Sequence, residues 1–82
     1  MITVAIETDE YLKMARRIIR AAARRVADGD EPELADLVSI RETLEQAISD
    51  AVQGQRDNGK TWAQIGLGLG TTKQAAIMRY KR

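Results

Sequence analysis

The sequence predicts an all-α protein, with a long antiparallel helical hairpin followed by a C-terminal helix-turn-helix. Apolar residues recur at steps of three and four in residues 9–28 and again in residues 32–56, which is the spacing of amphipathic helices. Two shorter helical stretches, separated by Gly70, complete the chain. We therefore expect residues 1–58 to form the hairpin and residues 59–82 the helix-turn-helix, within one compact domain of 82 residues.

The first helix is expected over residues 9–28, with Thr8 or Asp9 as its N-cap and Gly29 ending it. Before it, residues 1–7 alternate apolar and polar side chains. This alternation fits either a short strand, which would need a partner from a second copy, or a frayed end that docks on the core. Five arginines cover the polar surface of the first helix: Arg16, Arg17, Arg20, Arg24 and Arg25. One interpretation is a solvated face that pairs with carboxylates of the second helix.

The second helix is expected to begin at Pro32, because proline fits the first turn of a helix, and to end at Gly59. Arg41 is the one charge on its apolar stripe. An alternative is two helices that meet at Ser39, with Ser39 as N-cap and Glu42 three residues later. We expect one long helix. The short link to the first helix favours an antiparallel hairpin, and the apolar surface left over favours a partner.

The third helix is expected to start after Thr61 as N-cap and to turn Trp62, Ile65 and Leu69 inward together. Gly66 lies where a side chain would obstruct the following helix as it crosses. The turn at Gly70 is expected to take a positive φ, which glycine adopts at little cost.

The fourth helix is expected to start at Thr71 or Thr72 and to run to about Tyr80. Its small residues Ala75 and Ala76, together with Tyr80, are expected to face the third helix. Small side chains at these positions permit two helices to approach closely.

Composition limits the chemistry that the chain can perform. It contains neither cysteine nor histidine, which excludes a zinc finger and removes the commonest general acid and base. The carboxylates are scattered along polar faces, so we expect no enzyme activity, no metal and no cofactor. No apolar run approaches the roughly 20 residues that cross a bilayer, and residues 1–7 do not fit a secretory signal, so we expect a soluble cytoplasmic protein.

Charge is segregated along the chain although the net charge is only +1. Residues 1–59 contain eight basic and twelve acidic groups, whereas residues 60–82 contain five basic groups and no acid. A cationic end of this kind orients a protein on a polyanion. The alternative is a solvated basic tail.

The segment Ile65-Gly66-x-x-Leu69-Gly70-Thr71-Thr72-Lys73-Gln74-Ala75-Ala76 resembles the helix-turn-helix of small actinobacterial and actinophage DNA-binding proteins. It is also similar to the C-terminal DNA-binding region of bacterial sigma factors. The resemblance covers residues 34–82 well and residues 1–33 loosely. One departure is Thr71, which stands where the family usually has an apolar residue. The resemblance implies that the start of the fourth helix enters the major groove of DNA.

Four residues are the candidates for contacts with base edges: Thr72, Lys73, Gln74 and Ile77. Lysine can donate to guanine, glutamine can pair with adenine, and isoleucine can touch a thymine methyl group. Met78 either joins them or fills a gap in the core. Six residues are the candidates for phosphate contacts: Lys60, Thr61, Thr71, Arg79, Lys81 and Arg82. The arginines of the first helix are an alternative second contact with the DNA backbone.

The function that these observations favour is sequence-specific binding of double-stranded DNA by a homodimer, as a nucleoid-associated transcriptional regulator. A dimer is expected because one recognition helix reads few base pairs. The alternative is a non-enzymatic adaptor that binds RNA polymerase or another regulator, in which the helix-turn-helix serves only as a packing unit.

Overall fold

The computed structural model describes the backbone of residues 2–82 and the side chains of residues 7–82. The chain is all-α, as predicted, and residues 2–82 contain no strand. Its four helices are α1 (Ile2–Ala27), α2 (Pro32–Asp57), α3 (Trp62–Leu69) and α4 (Lys73–Tyr80). None of the helices in the described part of the chain is long and apolar enough to cross a membrane.

The chain divides into two compact units, and the boundary between them falls inside α2. The N-terminal unit comprises residues 1–40 and the C-terminal unit residues 41–82. α2 is a single helix across this boundary, which confirms the expectation of one long helix and excludes a break at Ser39.

In the N-terminal unit, α1 begins at Ile2, seven residues earlier than predicted. Of the two alternatives for residues 1–7, the short strand is therefore wrong for residues 2–7, and neither Thr8 nor Asp9 is an N-cap. Met1 and the side chains of residues 1–6, on which the alternative of a docked end depends, lie outside the described residues. The stretch contains no glycine or proline to interrupt a helix. A helix also satisfies its own backbone hydrogen bonds, which a lone strand cannot do.

No side chain of residues 7–40 is buried. Large apolar groups of α1 stay accessible to solvent, with Tyr11 69%, Ile18 61% and Leu12 51% exposed. Within residues 7–40, the five arginines of α1 make no ion pair, so the predicted pairing is not found with the carboxylates of α2 that lie in this unit. Residues 7–40 therefore carry an apolar helix face and bury no side chain.

The C-terminal unit has a small core formed by one side of α2 and by α3 and α4. Its buried members are Val52, Ile65, Ala76 and Tyr80, with Ile48 and Trp62 packed against them. The guanidinium of Arg56 lies 5.0 Å from the centroid of the Trp62 ring, so the indole is packed against the core on one side and covered by a cation on another. Trp62 thus belongs to the core region, as expected.

Two backbone hydrogen bonds close the end of α2. Gly59, at φ 95°, donates to the carbonyl of Arg56, and Lys60 donates to the carbonyl of Gln55. This is the pattern of a Schellman motif, in which glycine takes the left-handed position. It turns the chain sharply into α3.

Candidate nucleic-acid interface

The start of α3 is fixed by a capping box. The Thr61 hydroxyl accepts from the Gln64 backbone N–H at 3.1 Å, and the Gln64 side chain accepts from the Thr61 backbone N–H at 2.9 Å. Two donors at the helix terminus are satisfied by this exchange. Thr61 is a predicted phosphate contact, and in the structure its side chain caps α3.

The turn between α3 and α4 is a second Schellman motif. Gly70 lies at φ 73°, as expected, and donates to the carbonyl of Leu67. Thr71 donates to the carbonyl of Gly66 at 2.8 Å. Thr72 then caps α4, and its hydroxyl accepts from the Ala75 backbone N–H at 3.0 Å. Of the two candidate caps, the structure selects Thr72.

α3 and α4 cross at Gly66, which is buried as the sequence predicted. A Cβ atom added there would lie 2.9 Å from the Thr72 carbonyl oxygen and 3.1 Å from the Lys73 backbone nitrogen. Both neighbours are backbone atoms, so neither can rotate away. Because Gly66 has no side chain, the first turn of α4 can approach α3 this closely.

The exposed face of α4 follows from the side chains that it buries. Ala76 and Tyr80 are buried, as expected, and a helix rotates by about 100° per residue. The direction opposite these two residues is occupied by Met78, with Gln74 one turn earlier beside it. Met78 is 85% exposed, so its alternative role as a core filler is wrong. Ala75 is exposed as well, which contradicts the expectation that it faces α3.

The remaining candidates for base contact flank this outward face. Ile77 is half-buried, and Lys73 is exposed at the first position of α4 although its direction lies nearer the buried side. Thr72 is exposed, and its hydroxyl keeps a free donor after capping the helix. The structure therefore gathers Thr72, Gln74 and Met78 most directly on the accessible surface.

Two of the predicted phosphate contacts make ion pairs with α2. Arg79 donates to Glu45 at 2.9 Å, and Arg82 donates to Asp50 at 2.7 Å. Arg82 also donates to the Ser49 hydroxyl at 3.0 Å. Hydrogen bonds from Arg82 and then from the Gln46 amide lower the pKa of Asp50 below its usual value. These pairs join both arginines to the helix behind α4.

Two further hydrogen bonds join the end of α4 to α2. The Gln53 amide donates to the Tyr80 backbone carbonyl at 2.6 Å, and the Tyr80 hydroxyl donates to Glu45 at 3.4 Å. The ammonium groups of Lys60, Lys73 and Lys81, in contrast, have no ion pair among the described side chains. Thr71 is exposed at the turn. Among the five cations of residues 60–82, the three lysines are therefore without an ion pair and the two arginines are engaged.

Four large apolar side chains of this unit are exposed: Leu44, Leu67, Leu69 and Met78. Leu67 is 82% exposed, and Leu69, at 38%, does not turn fully inward as predicted. The signal for Met78 was present in the sequence, since it stands two residues from both Ala76 and Tyr80 and so points away from them. Leu67 likewise stands two residues after the buried Ile65.

Among the described side chains, no group of three or more carboxylate, cysteine or histidine residues is placed to hold a metal ion. Comparison of the chain with protein-family models, curated proteins and solved structures found no match. The geometry of the C-terminal unit is therefore the basis on which a function is assigned.

Proposed function

We propose that this chain is a sequence-specific DNA-binding protein, a dimeric transcriptional regulator that places α4 in the major groove. The observation that carries the proposal is the construction of the α3–α4 pair. Two capped helices of eight residues cross at a backbone-to-backbone contact, and the second presents its first turn and outward face to solvent. This is the arrangement that a helix-turn-helix requires.

Base readout is assigned to the start and outward face of α4. Gln74 is positioned to pair with adenine through two hydrogen bonds, and Thr72 retains a donor for a base or a phosphate. Lys73 is proposed to reach guanine at the edge of the face. Ile77, or Met78 beside it, supplies apolar contact with a thymine methyl group.

Phosphate contact is assigned to the cations and hydroxyls around this face. The unpaired ammonium groups of Lys60 and Lys81, and the hydroxyls of Thr61 and Thr71, fix the register of the protein without reading sequence. The six proposed contacts also include two arginines, Arg79 and Arg82, which on DNA would leave their carboxylate partners on α2. Because residues 60–82 contain no acid, nothing within that segment repels the phosphates.

A homodimer is part of the proposal, with α1 and α2 of each copy folded back as a hairpin that forms the dimerisation element. The exposed apolar side chains of residues 7–40 support it, since contiguous apolar patches on soluble proteins usually mark an interface. Two copies related by a two-fold axis would read half-sites separated by about 34 Å. The protein would act in the cytoplasm, on nucleoid DNA.

The proposal is tested by selecting bound sequences from a random pool of DNA duplexes and then measuring affinities by fluorescence anisotropy. Wild-type protein is expected to prefer the selected duplex over a scrambled one by more than about a thousandfold. Gln74→Ala is expected to weaken the selected duplex by about 1–3 kcal/mol and to leave the scrambled duplex unchanged. The matched variant is Gln55→Ala on α2. It is expected to leave the affinities for both duplexes unchanged. Equal affinity of wild type for both duplexes would refute base readout.

The second candidate function is a protein-interaction adaptor that binds RNA polymerase or another regulator. Leu67 and Met78 favour it, because both are more than four-fifths exposed and methionine is enriched in protein interfaces. A stable complex with RNA polymerase, lost in Leu67→Ser, together with no DNA affinity at low salt, would support the adaptor instead.

A further inference from the structure

The polar and apolar halves of α1 divide the helix lengthwise. At about 100° per residue, the apolar side chains from Ala21 through Tyr11 to Leu12 span about half of the circumference, and Arg25 is the one basic residue inside this span. This is wider than the stripe that one neighbouring helix covers. No apolar side chain of this face is buried among residues 7–40.

One edge of this face repeats every seven residues. Its positions are Thr8, Leu12, Ala15, Ile19, Ala22 and Val26. The spacing alternates between four and three residues, which is the pattern of a coiled-coil seam. We name these six residues the α1 seam. Large and small side chains alternate along its centre, with Leu12 and Ile19 large and Ala15 and Ala22 small.

The α1 seam is symmetric about residue 17. In an antiparallel pair of α1 helices centred there, Leu12 lies level with Ala22 of the second copy, and Ala15 lies level with Ile19 of that copy. Every central layer then contains one large and one small side chain, which fills the space evenly. In a parallel pair each residue would meet its own copy, so bulky layers would alternate with alanine layers that leave voids.

Charge on α1 favours the same orientation. Residues 7–13 contain three acids and one lysine, whereas residues 14–27 contain five arginines and no acid. In the antiparallel register, the acidic segment of each α1 lies level with the arginine-rich end of the second copy, so the opposite charges attract along the length of the pair. A parallel pair would instead place the two groups of five arginines side by side.

We propose that the α1 seam is the surface on which two copies of this chain pair antiparallel, with Leu12 against Ala22 and Ala15 against Ile19. The inference deepens the proposed function, since it names the contact that creates the DNA-binding dimer, and it rests on that function for its biological role. Its test needs no DNA.

The test uses disulfide cross-linking of the full chain, which has no cysteine of its own. Leu12→Cys protein is mixed with Ala22→Cys protein under oxidising conditions. The antiparallel seam brings these two positions within the roughly 4–7 Å between Cα atoms that a disulfide needs. Two copies of Leu12→Cys would hold their cysteines about 15 Å apart along the axis, because ten residues of helix separate the levels.

We expect the mixed cross-link to exceed either self-cross-link by about tenfold. Leu12→Cys mixed with Arg24→Cys is the matched control, because Arg24 lies on the charged face, and it is expected to give no cross-link above background. Efficient self-cross-linking of Leu12→Cys would overturn the proposal in favour of a parallel pair. Absence of any specific cross-link would overturn it as well, whether the wild type sediments as a monomer or as a dimer.

A second measurement guards against variants that fail to fold. Ala22→Leu places leucine opposite leucine in two layers and is expected to raise the dimer Kd at least about tenfold, whereas in a parallel pair it would fill a void and lower the Kd. Combining it with Leu12→Ala restores one large and one small residue per layer and is expected to recover the dimer. Helix content is checked by circular dichroism.

The two proposals fail separately. A mixed cross-link in protein that binds no DNA would refute the proposed function and leave the seam intact. Sequence-specific binding by a dimer that gives no mixed cross-link would refute the seam alone.

Discussion

The contact at Gly66 makes a quantitative prediction, because a second glycine in the same helix provides an internal control. Gly66 and Gly68 are both interior residues of α3, and replacing either by alanine should stabilise the helix by about 1 kcal/mol through backbone propensity. Nothing lies within 4 Å of a Cβ added at Gly68, whereas one added at Gly66 would lie 2.9 Å from the Thr72 carbonyl oxygen.

The difference between Gly66→Ala and Gly68→Ala therefore isolates the cost of the crossing. Both variants gain the same propensity term, but only Gly66→Ala must push the first turn of α4 away, which costs about 1–3 kcal/mol. We expect Gly68→Ala to raise the free energy of unfolding by about 1 kcal/mol. The free energy of unfolding of Gly66→Ala should be lower than that of Gly68→Ala by about 1–3 kcal/mol.

The assay is urea denaturation followed by circular dichroism, at one fixed protein concentration because the stability of a dimer depends on concentration. DNA affinity of the same two variants is the companion measurement. Gly66→Ala is expected to lose affinity for the selected duplex, since α4 is displaced, and Gly68→Ala to retain it. Equal stabilisation by the two substitutions would show that the helices do not approach closely at Gly66.

Three further predictions concern the cap and the ion pairs of α4. Thr72→Ala should lower the free energy of unfolding by about 1 kcal/mol and Thr72→Ser should restore most of it; no difference in the urea midpoints would exclude Thr72 as the N-cap. The pKa of Asp50 is lowered in the folded state, so its pairing stabilises the protein at pH values above the usual pKa of 3.8, and this stability is lost as the pH falls through the lowered pKa. Arg82→Gln should raise the pKa of Asp50 in an NMR titration. An unchanged pKa would contradict the pair. If Arg79 and Arg82 both move to phosphates, a dimer makes four such contacts. Replacing both arginines by glutamine should then make the plot of log K against log salt less steep by about 3.6. An unchanged slope would show that both arginines stay on α2.

Sequence reasoning succeeded where the determinants are local. The cap at Thr61, the left-handed glycine at Gly70 and the need for glycine at Gly66 each depend on residues within one or two turns of helix. Few backbone conformations are compatible with such short segments, so the local sequence alone predicts the turn. The single helix across Ser39 is likewise local, since no residue there interrupts the backbone hydrogen bonds.

Sequence reasoning failed where the determinant is distant or the signal is ambiguous. Arg79 pairs with Glu45, which lies 34 residues away, and no spacing rule connects the two. At the N-terminus, the alternation of apolar residues in residues 1–7 fits a short strand or a frayed end, yet Ile2 and Ile6 also stand at i and i+4 of a helix. Over so short a segment the two periods cannot be separated.

The ion pairs of Arg79 and Arg82 do not conflict with a role on DNA, because they are exposed. The side chains of Arg79 and Glu45 retain 63% and 48% of their accessible surface, and those of Arg82 and Asp50 retain 53% and 61%. Exposed pairs of this kind contribute about 0–1 kcal/mol, and salt screens them. Exchanging a carboxylate for a phosphate therefore costs little, while each phosphate neutralised releases condensed counterions. In the structure the same arginines join α4 to α2, so under the proposed function its outward face would already be in place in free protein.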